Sequence, residues 1–436
     1  MQRYESADAA LKEVYGYDSF RGVQAQSIAQ SCAGNDVFVL MATGGGKSLC
    51  YIIPALVLGR RVIVISPLVA LMQDQVMSLT ERGVAACYIG SAQEDATIWR
   101  RLEEFQLVYA TPEMASTDRF RARLPGLDPA LIAIDEAHCV SEWGHEFRPE
   151  YRRLHELRAI VGCSFVAVTA TATLKCRNDI CEQLRLTGAH YVTSVDRPNL
   201  TFRVQPKLAA TAALSIRDVL PADGSTIVYV PTTREADAIS SALNSLGVAC
   251  KSYHAQQPLE TRSQTHQDFI TDRVRTVVAT IAFGMGVDKP DVRAVVHWGV
   301  PKTVEAYYQQ AGRAGRDGDP STCTLFYSAS DFVKMERMSD DPRRAIEDLR
   351  VLRTYCESTS QCRRNALARH FGEEIEIKCG LCDVCRTCTT TSQKDVSADT
   401  RRLLEAIDAC GSRCGATTVV GFLRGSVKHD WLKTHP

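Results

Sequence analysis

The stretch Val37-Phe-Val-Leu-Met-Ala-Thr-Gly-Gly-Gly-Lys-Ser48 decides how the first part of the chain folds. Its apolar start predicts a buried strand, and the apolar run after Ser48 is able to begin a helix. A glycine-rich turn between them lets backbone N–H groups surround a polyphosphate, because glycine has no Cβ to clash. Lys47 is placed to reach the β- and γ-phosphates and Ser48 to hold Mg²⁺. The stretch predicts a nucleotide site, although Met41 stands where the general pattern has glycine. What the energy is used for stays open.

Length and composition are those of ordinary globular protein. The chain has 436 residues, 45% of them hydrophobic and 23% charged, with a formal net charge of zero. This length predicts about two to four domains. The first residues have no signal-peptide pattern, and the longest apolar stretch, Leu49 to Leu58, is too short to span a bilayer. We expect a soluble intracellular protein with no membrane partner, in which any contact with nucleic acid rests on local basic patches.

Short apolar runs alternate with helical patterns over about the first 330 residues. The pattern breaks near Asp196-Arg-Pro-Asn199 and restarts, which predicts two α/β domains with parallel sheets covered on both faces. The expected strands are Val37–Met41, Val62–Ser66, Leu107–Ala110, Leu131–Asp135 and Phe165–Thr169, then Thr226–Val230, Thr276–Thr280, Ala294–His297 and Thr322–Tyr327. Helices are expected over Leu68–Leu79 and Tyr151–Ile160, and a charged helical segment over Asp331–Tyr355.

A second motif, Ile132-Ala-Ile-Asp-Glu-Ala-His138, combines an apolar strand with an acidic end. We expect this strand to lie beside the one that starts at Val37. Asp135 would then hold Mg²⁺, and Glu136 would polarise the attacking water as a general base. His138 is open to two interpretations, a polar cap or a coupling role, and its place in Asp-Glu-Ala-His favours the second.

A third motif, Tyr307-Tyr-Gln-Gln-Ala-Gly-Arg-Ala-Gly-Arg-Asp-Gly318, lies in the second α/β domain. Arg313 and Arg316 are three residues apart, so on a helix they would share one face. Opposite the phosphate loop they would act as arginine fingers that neutralise charge in the transition state. Taken alone, the motif is equally typical of a solvated basic helix start.

Seventeen cysteines are many for a chain of this size. Most lie on apolar segments, as small buried side chains do in a reducing compartment. Four are different because they form a group that suits tetrahedral Zn²⁺: Cys362, Cys379, Cys382 and Cys385. Sixteen residues separate the first two of them, and two residues separate each later pair. Similar spacing also occurs in iron–sulfur proteins, and Cys388 extends the series, so the residues alone leave both metals open.

Taken together, the motifs resemble those of the RecQ family of DNA helicases, in helicase superfamily two, nearly from end to end. The segments that carry the resemblance are Phe20–Gln24, Thr43–Ser48, Ser66–Gln75, Asp135–His138, His138–Tyr151, Thr169–Thr173, Thr280–Pro290 and Gln309–Arg316. Family members tolerate a non-glycine residue at the position of Met41. The resemblance implies two tandem RecA-like domains, a small helical zinc-binding module and a partial winged-helix segment. It favours zinc over iron–sulfur and makes Cys388 a bystander.

The resemblance also implies roles for individual residues. Gln24 would read adenine with Arg21 beside it, and Asp288 would touch the ribose. The implied nucleotide-binding set is Arg21, Gln24, Thr43, Gly44, Gly45, Gly46, Lys47, Ser48, Asp288 and Gln309. The implied catalytic set is Lys47, Asp135, Glu136, Arg313 and Arg316. The implied cofactors are ATP, Mg²⁺ and Zn²⁺.

The segment from His138 to Tyr151 resembles the aromatic-rich loop that marks the family. Trp143 and Phe147 are rings able to stack on unpaired bases, and Arg148 is able to pair with phosphate, which holds a single strand without regard to sequence. The loop begins at His138, so it would connect DNA to the hydrolytic residues. Alternatively, both rings fill a core between the domains.

The resemblance implies a 3′→5′ DNA helicase in recombination, replication and repair, acting on single-stranded, tailed or forked DNA. We expect it at DNA, in the nucleus of a eukaryote or the cytoplasm and nucleoid of a bacterium. The expected domains are 1–200, 201–335, 336–390 (zinc module) and 391–436 (linker and incomplete winged helix). One alternative is a DNA-stimulated ATPase that binds or anneals DNA with little unwinding. Another is an RNA helicase, which the aromatic-rich loop and the cysteines argue against.

Overall fold

The computed structural model describes the whole chain except positions 91, 92, 94, 96, 145, 285, 286, 288, 340, 377, 388–394, 410–414 and 426–436, and the side chain at 209. Asp288 and Cys388, both named by the sequence analysis, lie outside the described residues. The chain divides into two compact units, Met1–Arg386 and Thr387–Pro436. Within the described residues, no helix is long and apolar enough to cross a membrane.

The first sheet consists of seven described strands, all parallel. They are β1 (Val37–Leu40), β2 (Val62–Ile65), β3 (Ala86–Ile89), β4 (Leu107–Ala110), β5 (Leu131–Ile134), β6 (Ser164–Thr169) and β7 (Ala189–Val192). Their order across the sheet is β3-β4-β2-β5-β6-β1-β7. The inner strands β1, β2, β4, β5 and β6 are buried along their whole length, as expected where helices cover both faces.

Helices and short 3₁₀ turns cover this sheet. The helices are α1 (Ala7–Tyr15), α2 (Gln24–Cys32), α3 (Leu49–Leu58), α4 (Val69–Glu81), α5 (Pro112–Ala115), α6 (Asp118–Leu127), α7 (Pro149–Arg152), α8 (Glu156–Val161) and α9 (Leu174–Gln183). The expected single helix over Tyr151–Ile160 is wrong, because a 3₁₀ turn at Arg153–His155 separates α7 from α8. The His155 ring lies 2.6 Å from the Arg152 carbonyl oxygen and occupies an acceptor that a continuous helix would use.

The second sheet consists of six described strands, again all parallel. They are β8 (Leu200–Pro206), β9 (Ser225–Tyr229), β10 (Cys250–Tyr253), β11 (Thr276–Ala279), β12 (Val292–Trp298) and β13 (Ser321–Tyr327). Their order is β10-β11-β9-β12-β13-β8. The accompanying helices are α10 (Ala212–Arg217), α11 (Thr233–Ser245), α12 (Leu259–Ile270) and α13 (Val304–Ala311). The expected architecture of two tandem parallel-sheet domains is therefore confirmed.

Four helices follow the second sheet: α14 (Ala329–Arg337), α15 (Pro342–Glu357), α16 (Arg363–His370) and α17 (Asp383–Thr387). Asp341 caps α15, and Pro342 occupies its first turn, so the charged segment over 331–355 is two helices rather than one. Leu352, Tyr355, Leu367 and Phe371 share one apolar core with Tyr307 of α13. The helical module is thus packed onto the second sheet.

The second unit contains α18 (Ser397–Ala409) and α19 (Ala416–Leu423). Ala406 and Val419 are buried between them, with Ile407 and Phe422 alongside. These helices lie in the segment that the sequence suggests as an incomplete winged-helix domain.

Candidate nucleotide and nucleic-acid site

The phosphate loop connects β1 to α3 at the carboxyl edge of the first sheet, where ligands of parallel sheets bind. Gly44 has a φ of 79°, which favours glycine. A Cβ on Gly44 would also stand 2.8 Å from Cγ of Arg316. Two independent features therefore favour glycine here: the left-handed backbone conformation and the close approach of Arg316 from the second domain.

Lys47 lies inside this loop. Its Nζ is 3.4 Å from the Met41 carbonyl oxygen. Burial lowers the pKa of Lys47, and the carboxylates of Glu136 and Asp135 oppose that shift. Ser48 follows as the N-cap of α3. The loop thus brings a cation and a hydroxyl to the acidic motif, as polyphosphate binding with Mg²⁺ requires.

Gln24 is joined to the phosphate loop. Its amide nitrogen donates to the carbonyl oxygens of Gly45 and Gly46, at 3.1 and 3.0 Å. Its amide oxygen accepts from the backbone N–H of Arg21 at 2.8 Å. Reading adenine would require Gln24 to exchange these bonds, so its expected role stays a prediction. The structure does place Arg21 and Gln24 beside the loop.

The acidic pair follows β5. β6 lies between β5 and β1 in the sheet, so the expectation that the two motif strands are direct neighbours is wrong. Burial and the Glu136 charge raise the pKa of Asp135 to about 7. Such a carboxyl fits a place where a divalent cation offsets the cost of its charge. Glu136 has a φ of 47°, the left-handed region that costs a non-glycine residue about 1–2 kcal/mol.

The intervening strand connects the acidic motif to the Thr169–Thr173 segment. His138 is fully buried, and its Nδ1 lies 3.1 Å from the Thr169 hydroxyl and 3.2 Å from a carboxylate oxygen of Glu136. Tyr151 donates from its hydroxyl to the Asp135 carbonyl oxygen at 3.1 Å. His138 is therefore held between Glu136 and β6, and its coupling role stays a prediction.

The two arginines do not share a helix face, because α13 ends at Ala311 and both lie in the turn that follows. Gly315, between them, has a φ of 55° and prevents helical continuation. Arg313 is buried, and Arg316 packs its aliphatic part against Gly44. Gln309 lies on the last turn of α13. Both expected halves of the nucleotide site therefore meet, with the arginines in a turn.

The aromatic-rich loop touches the acidic motif through its backbone. A Cβ on Gly144 would stand 2.0 Å from the His138 carbonyl oxygen, so only glycine fits here. Trp143 next to it is 51% exposed, with Lys175 Nζ 3.0 Å from its ring centroid. Such exposure argues against the alternative that Trp143 fills a core. Arg344 of α15 donates to the Gly144 carbonyl oxygen and connects the helical module to this loop.

Phe147 and Arg148 lie in the aromatic-rich loop just before α7. The Arg152 guanidinium lies 5.4 Å from the Phe147 ring centroid. Arg148 donates to the Pro67 carbonyl oxygen at 3.0 Å, in the Ser66–Gln75 motif. Phe147 is half-buried, whereas Trp143 presents its ring to solvent. The structure thus brings two of the expected DNA-contact segments together.

The four expected metal cysteines converge. The Sγ atoms of Cys362, Cys379, Cys382 and Cys385 all lie within 4.8 Å of one another. Backbone N–H groups of Cys382 and Cys385 donate to the sulfurs of Cys379 and Cys382, each at 3.3 Å. Four converging thiols fit the tetrahedral preference of Zn²⁺, and they leave it no open catalytic position.

Two arginines that follow Cys362 form ion pairs within the protein. Arg363 is buried and pairs with Asp383 at 2.8 Å. Arg364 pairs with Asp196, in the connection between the two sheets. These ion pairs attach the cysteine cluster to α17 and to the interdomain connection.

Three protein-family models match successive segments of this chain. Residues 21–180 match the DEAD/DEAH box helicase model, 212–318 the helicase conserved C-terminal domain, and 329–386 the RecQ zinc-binding model. An ATP-dependent DNA helicase RecQ of Haemophilus influenzae is 38% identical over 434 residues, which are 96% of this chain and 70% of that protein. The chain belongs to the RecQ family of ATP-dependent DNA helicases. The zinc-binding model includes all four clustered cysteines, which confirms zinc as the family metal.

Other RecQ relatives have similar identity. A Bacillus subtilis RecQ helicase is 38% identical, with coverage of 96% of this chain and 73% of that protein. The Arabidopsis thaliana ATP-dependent DNA helicase Q-like 2 is also 38% identical, but this chain covers only 58% of it. Among solved structures, Mycobacterium smegmatis helicase Lhr bound to ssDNA and AMP-PNP has a TM-score of 0.59 at 21% identity, with 76% of this chain and 49% of that chain covered. At that identity the likeness shows the fold.

Sequence reasoning missed three residues of this RecQ site: Lys175, Arg197 and Arg344. Each contacts a residue that is distant in sequence: Lys175 lies over the Trp143 ring, Arg197 donates to the phosphate loop, and Arg344 donates to Gly144. Basic residues are common, and no local pattern marks these three. Only the folded chain shows which carbonyl groups and rings they meet.

Proposed function

We propose that this chain couples ATP hydrolysis to 3′→5′ movement along single-stranded DNA and to unwinding of duplex DNA. The names of its RecQ relatives support ATP-dependent DNA helicase activity, and the direction of movement rests on the resemblance to the family. The observation that carries the proposal is the contact of Gly144 with the His138 carbonyl oxygen. A strand that reorders the aromatic-rich loop must move this contact, and His138 is hydrogen-bonded beside Glu136. Binding of DNA to the loop would thereby affect Glu136, the residue that would polarise the attacking water.

The residues divide into roles on this proposal. Lys47 and Ser48 would hold the phosphates and Mg²⁺ with Asp135, and Arg313 and Arg316 would complete the cleft from the second domain. Mg²⁺ supplies charge neutralisation when it is bound. The nucleotide set named above would bind ATP, and the segments 1–200, 201–335, 336–390 and 391–436 are our proposed domains. A place at DNA, in repair, recombination and replication, follows from the same activity.

Strand displacement tests the proposal. We expect ATP-dependent release from a duplex with a 3′ single-stranded tail and little release from a 5′-tailed or blunt duplex. The measurement is the displaced labelled strand, with Lys47→Ala as the variant that lacks hydrolysis. DNA-stimulated hydrolysis without displacement would instead support an ATPase that binds or anneals DNA. Equal stimulation by RNA would point to an RNA helicase.

Trp143 supplies a separate prediction about coupling. Trp143→Ala is expected to leave ATP binding unchanged and to reduce DNA-stimulated hydrolysis about 5- to 100-fold at limiting DNA, since one base–ring stack contributes about 1–3 kcal/mol. Hydrolysis is measured against single-stranded DNA concentration. Trp99→Ala is the matched control, because Trp99 also carries a cation, Arg119 at 4.0 Å, but lies outside the loop. Undiminished stimulation in Trp143→Ala would contradict the assignment of the loop.

A further inference from the structure

Arg197 lies in the connection between β7 and β8, where the chain passes from one sheet to the other. Its Nη1 donates to the carbonyl oxygen of Thr43, in the phosphate loop, at 3.1 Å. Three further hydrogen bonds of its guanidinium reach the turn after α13. This one side chain therefore touches backbone on both sides of the nucleotide cleft.

The guanidinium uses its full hydrogen-bonding capacity. It offers five N–H groups in a planar fork. The five acceptors are Thr43 O at 3.1 Å, Gly312 O at 3.4 Å, Ala314 O at 3.1 Å, Gly315 O at 2.7 Å and Asn199 Oδ1 at 3.3 Å. Lysine has a single ammonium and cannot reproduce this arrangement, so the geometry selects arginine.

The atoms that Arg197 joins are those next to the arginine fingers. Thr43 precedes Gly44, which packs against Arg316. Gly312, Ala314 and Gly315 form the turn that carries Arg313 and leads into Arg316. Asn199 strengthens the same turn, since its Nδ2 donates to Gly315 O at 2.8 Å. Because Arg197 bridges Thr43 and this turn, it sets the distance between the phosphate loop and Arg316.

We propose that Arg197 is a positioning residue for ATP hydrolysis, which fixes the arginine turn against the phosphate loop when the cleft is closed. This inference rests on the proposed ATPase function. It assigns Arg197 as the residue that holds the phosphate loop and the arginine turn at a fixed distance. Arg197 acts through Arg316 and does not itself bind nucleotide. Its loss is expected to affect turnover more than binding.

Steady-state kinetics with saturating DNA provide the first measurement. Arg197→Ala is expected to lower kcat about 10- to 100-fold, as displacement of a catalytic group by about 1 Å does, with binding of a fluorescent ADP analogue changed less than about threefold. Arg197→Lys keeps the charge and is expected to recover little of the rate. A wild-type kcat in either variant would overturn the proposal, and Arg197→Lys serves if the alanine variant does not fold.

A double-mutant cycle with Arg316 separates positioning from a general structural role. If Arg197 acts by placing Arg316, the variant Arg197→Ala/Arg316→Ala should have nearly the kcat of Arg316→Ala alone. Multiplying losses would mean that the two residues act independently and would overturn the proposal.

Arg61 offers a matched control. It donates to the carbonyl oxygens of Phe105 at 2.9 Å and Glu103 at 2.6 Å, and to that of Leu127, all within the first domain and at the opposite edge of its sheet. Arg61→Ala is expected to lower thermal stability and to keep kcat per folded molecule within about twofold. A wild-type chain without DNA-stimulated hydrolysis would refute the proposed function itself, whereas an active wild type with unaffected Arg197 variants refutes only this inference.

Discussion

Glu136→Gln should lower kcat for ATP hydrolysis about 10²- to 10⁴-fold, the range that a positioned general base contributes. The side-chain amide of the introduced glutamine cannot accept a proton from the attacking water. It has the shape of the carboxylate, and glutamine is no more strained than glutamate in the left-handed backbone conformation of this position. Glu136 also helps to raise the pKa of Asp135, so its loss leaves Asp135 more readily ionised. Binding of the Mg²⁺–nucleotide is therefore expected to be kept or strengthened.

The measurement is phosphate release at saturating DNA, together with fluorescent nucleotide binding at equilibrium. Glu103→Gln is the matched control, since Glu103 belongs to the same domain and pairs with Arg123 at the surface at 2.7 Å. Exposed pairs of this kind contribute about 0–1 kcal/mol, so the control should keep its activity. If Glu136→Gln hydrolyses ATP within tenfold of wild type, Glu136 is not the general base.

The strands that sequence patterns did not predict are β3, β7, β8 and β10, and all four are edges of their sheets. An inner parallel strand is covered on both faces, so it appears as an unbroken apolar run. An edge strand keeps one side open, so polar residues are tolerated in it, as in β10 (Cys-Lys-Ser-Tyr), and its residues are less buried, as in β7, none of which is fully buried. Position at the edge of a sheet therefore accounts for the weak sequence patterns of β7 and β10, whereas β3 is an apolar strand of only four residues.

Some features of the site depend on short sequence motifs, and others depend on contacts between distant segments. Lys47, Asp135 and the cysteines lie in short motifs, whose chemistry depends on residue type and spacing. The bonds from Gln24 to Gly45 and Gly46, and four of the five bonds of Arg197, join segments far apart in the chain. Such contacts form only when distant segments come together, within one domain for Gln24 and across both domains for Arg197, so no single segment encodes them.

Cys382→Ser should cost the protein its zinc and destabilise the helical module by several kcal/mol. Cys382 is the fully buried member of the cluster, and its sulfur accepts the backbone N–H of Cys385. Structural Zn²⁺ contributes about 10–16 kcal/mol to small zinc domains at pH 7, and a missing thiolate removes much of it. The module shares a core with the second sheet, through Leu352, Tyr355 and Phe371 among others, so unfolding should spread there.

Zinc per chain and the thermal unfolding midpoint measure the effect. Cys163→Ser is the matched control, because Cys163 is a half-buried free thiol of the first domain. It should keep one zinc per chain, whereas Cys382→Ser should hold well under half of that. Thiolates bind the metal and protons compete for them, so acidification should release zinc from the wild type and lower its midpoint. An unchanged zinc content in Cys382→Ser, or visible absorption typical of an iron–sulfur cluster in the wild type, would contradict a structural zinc site here.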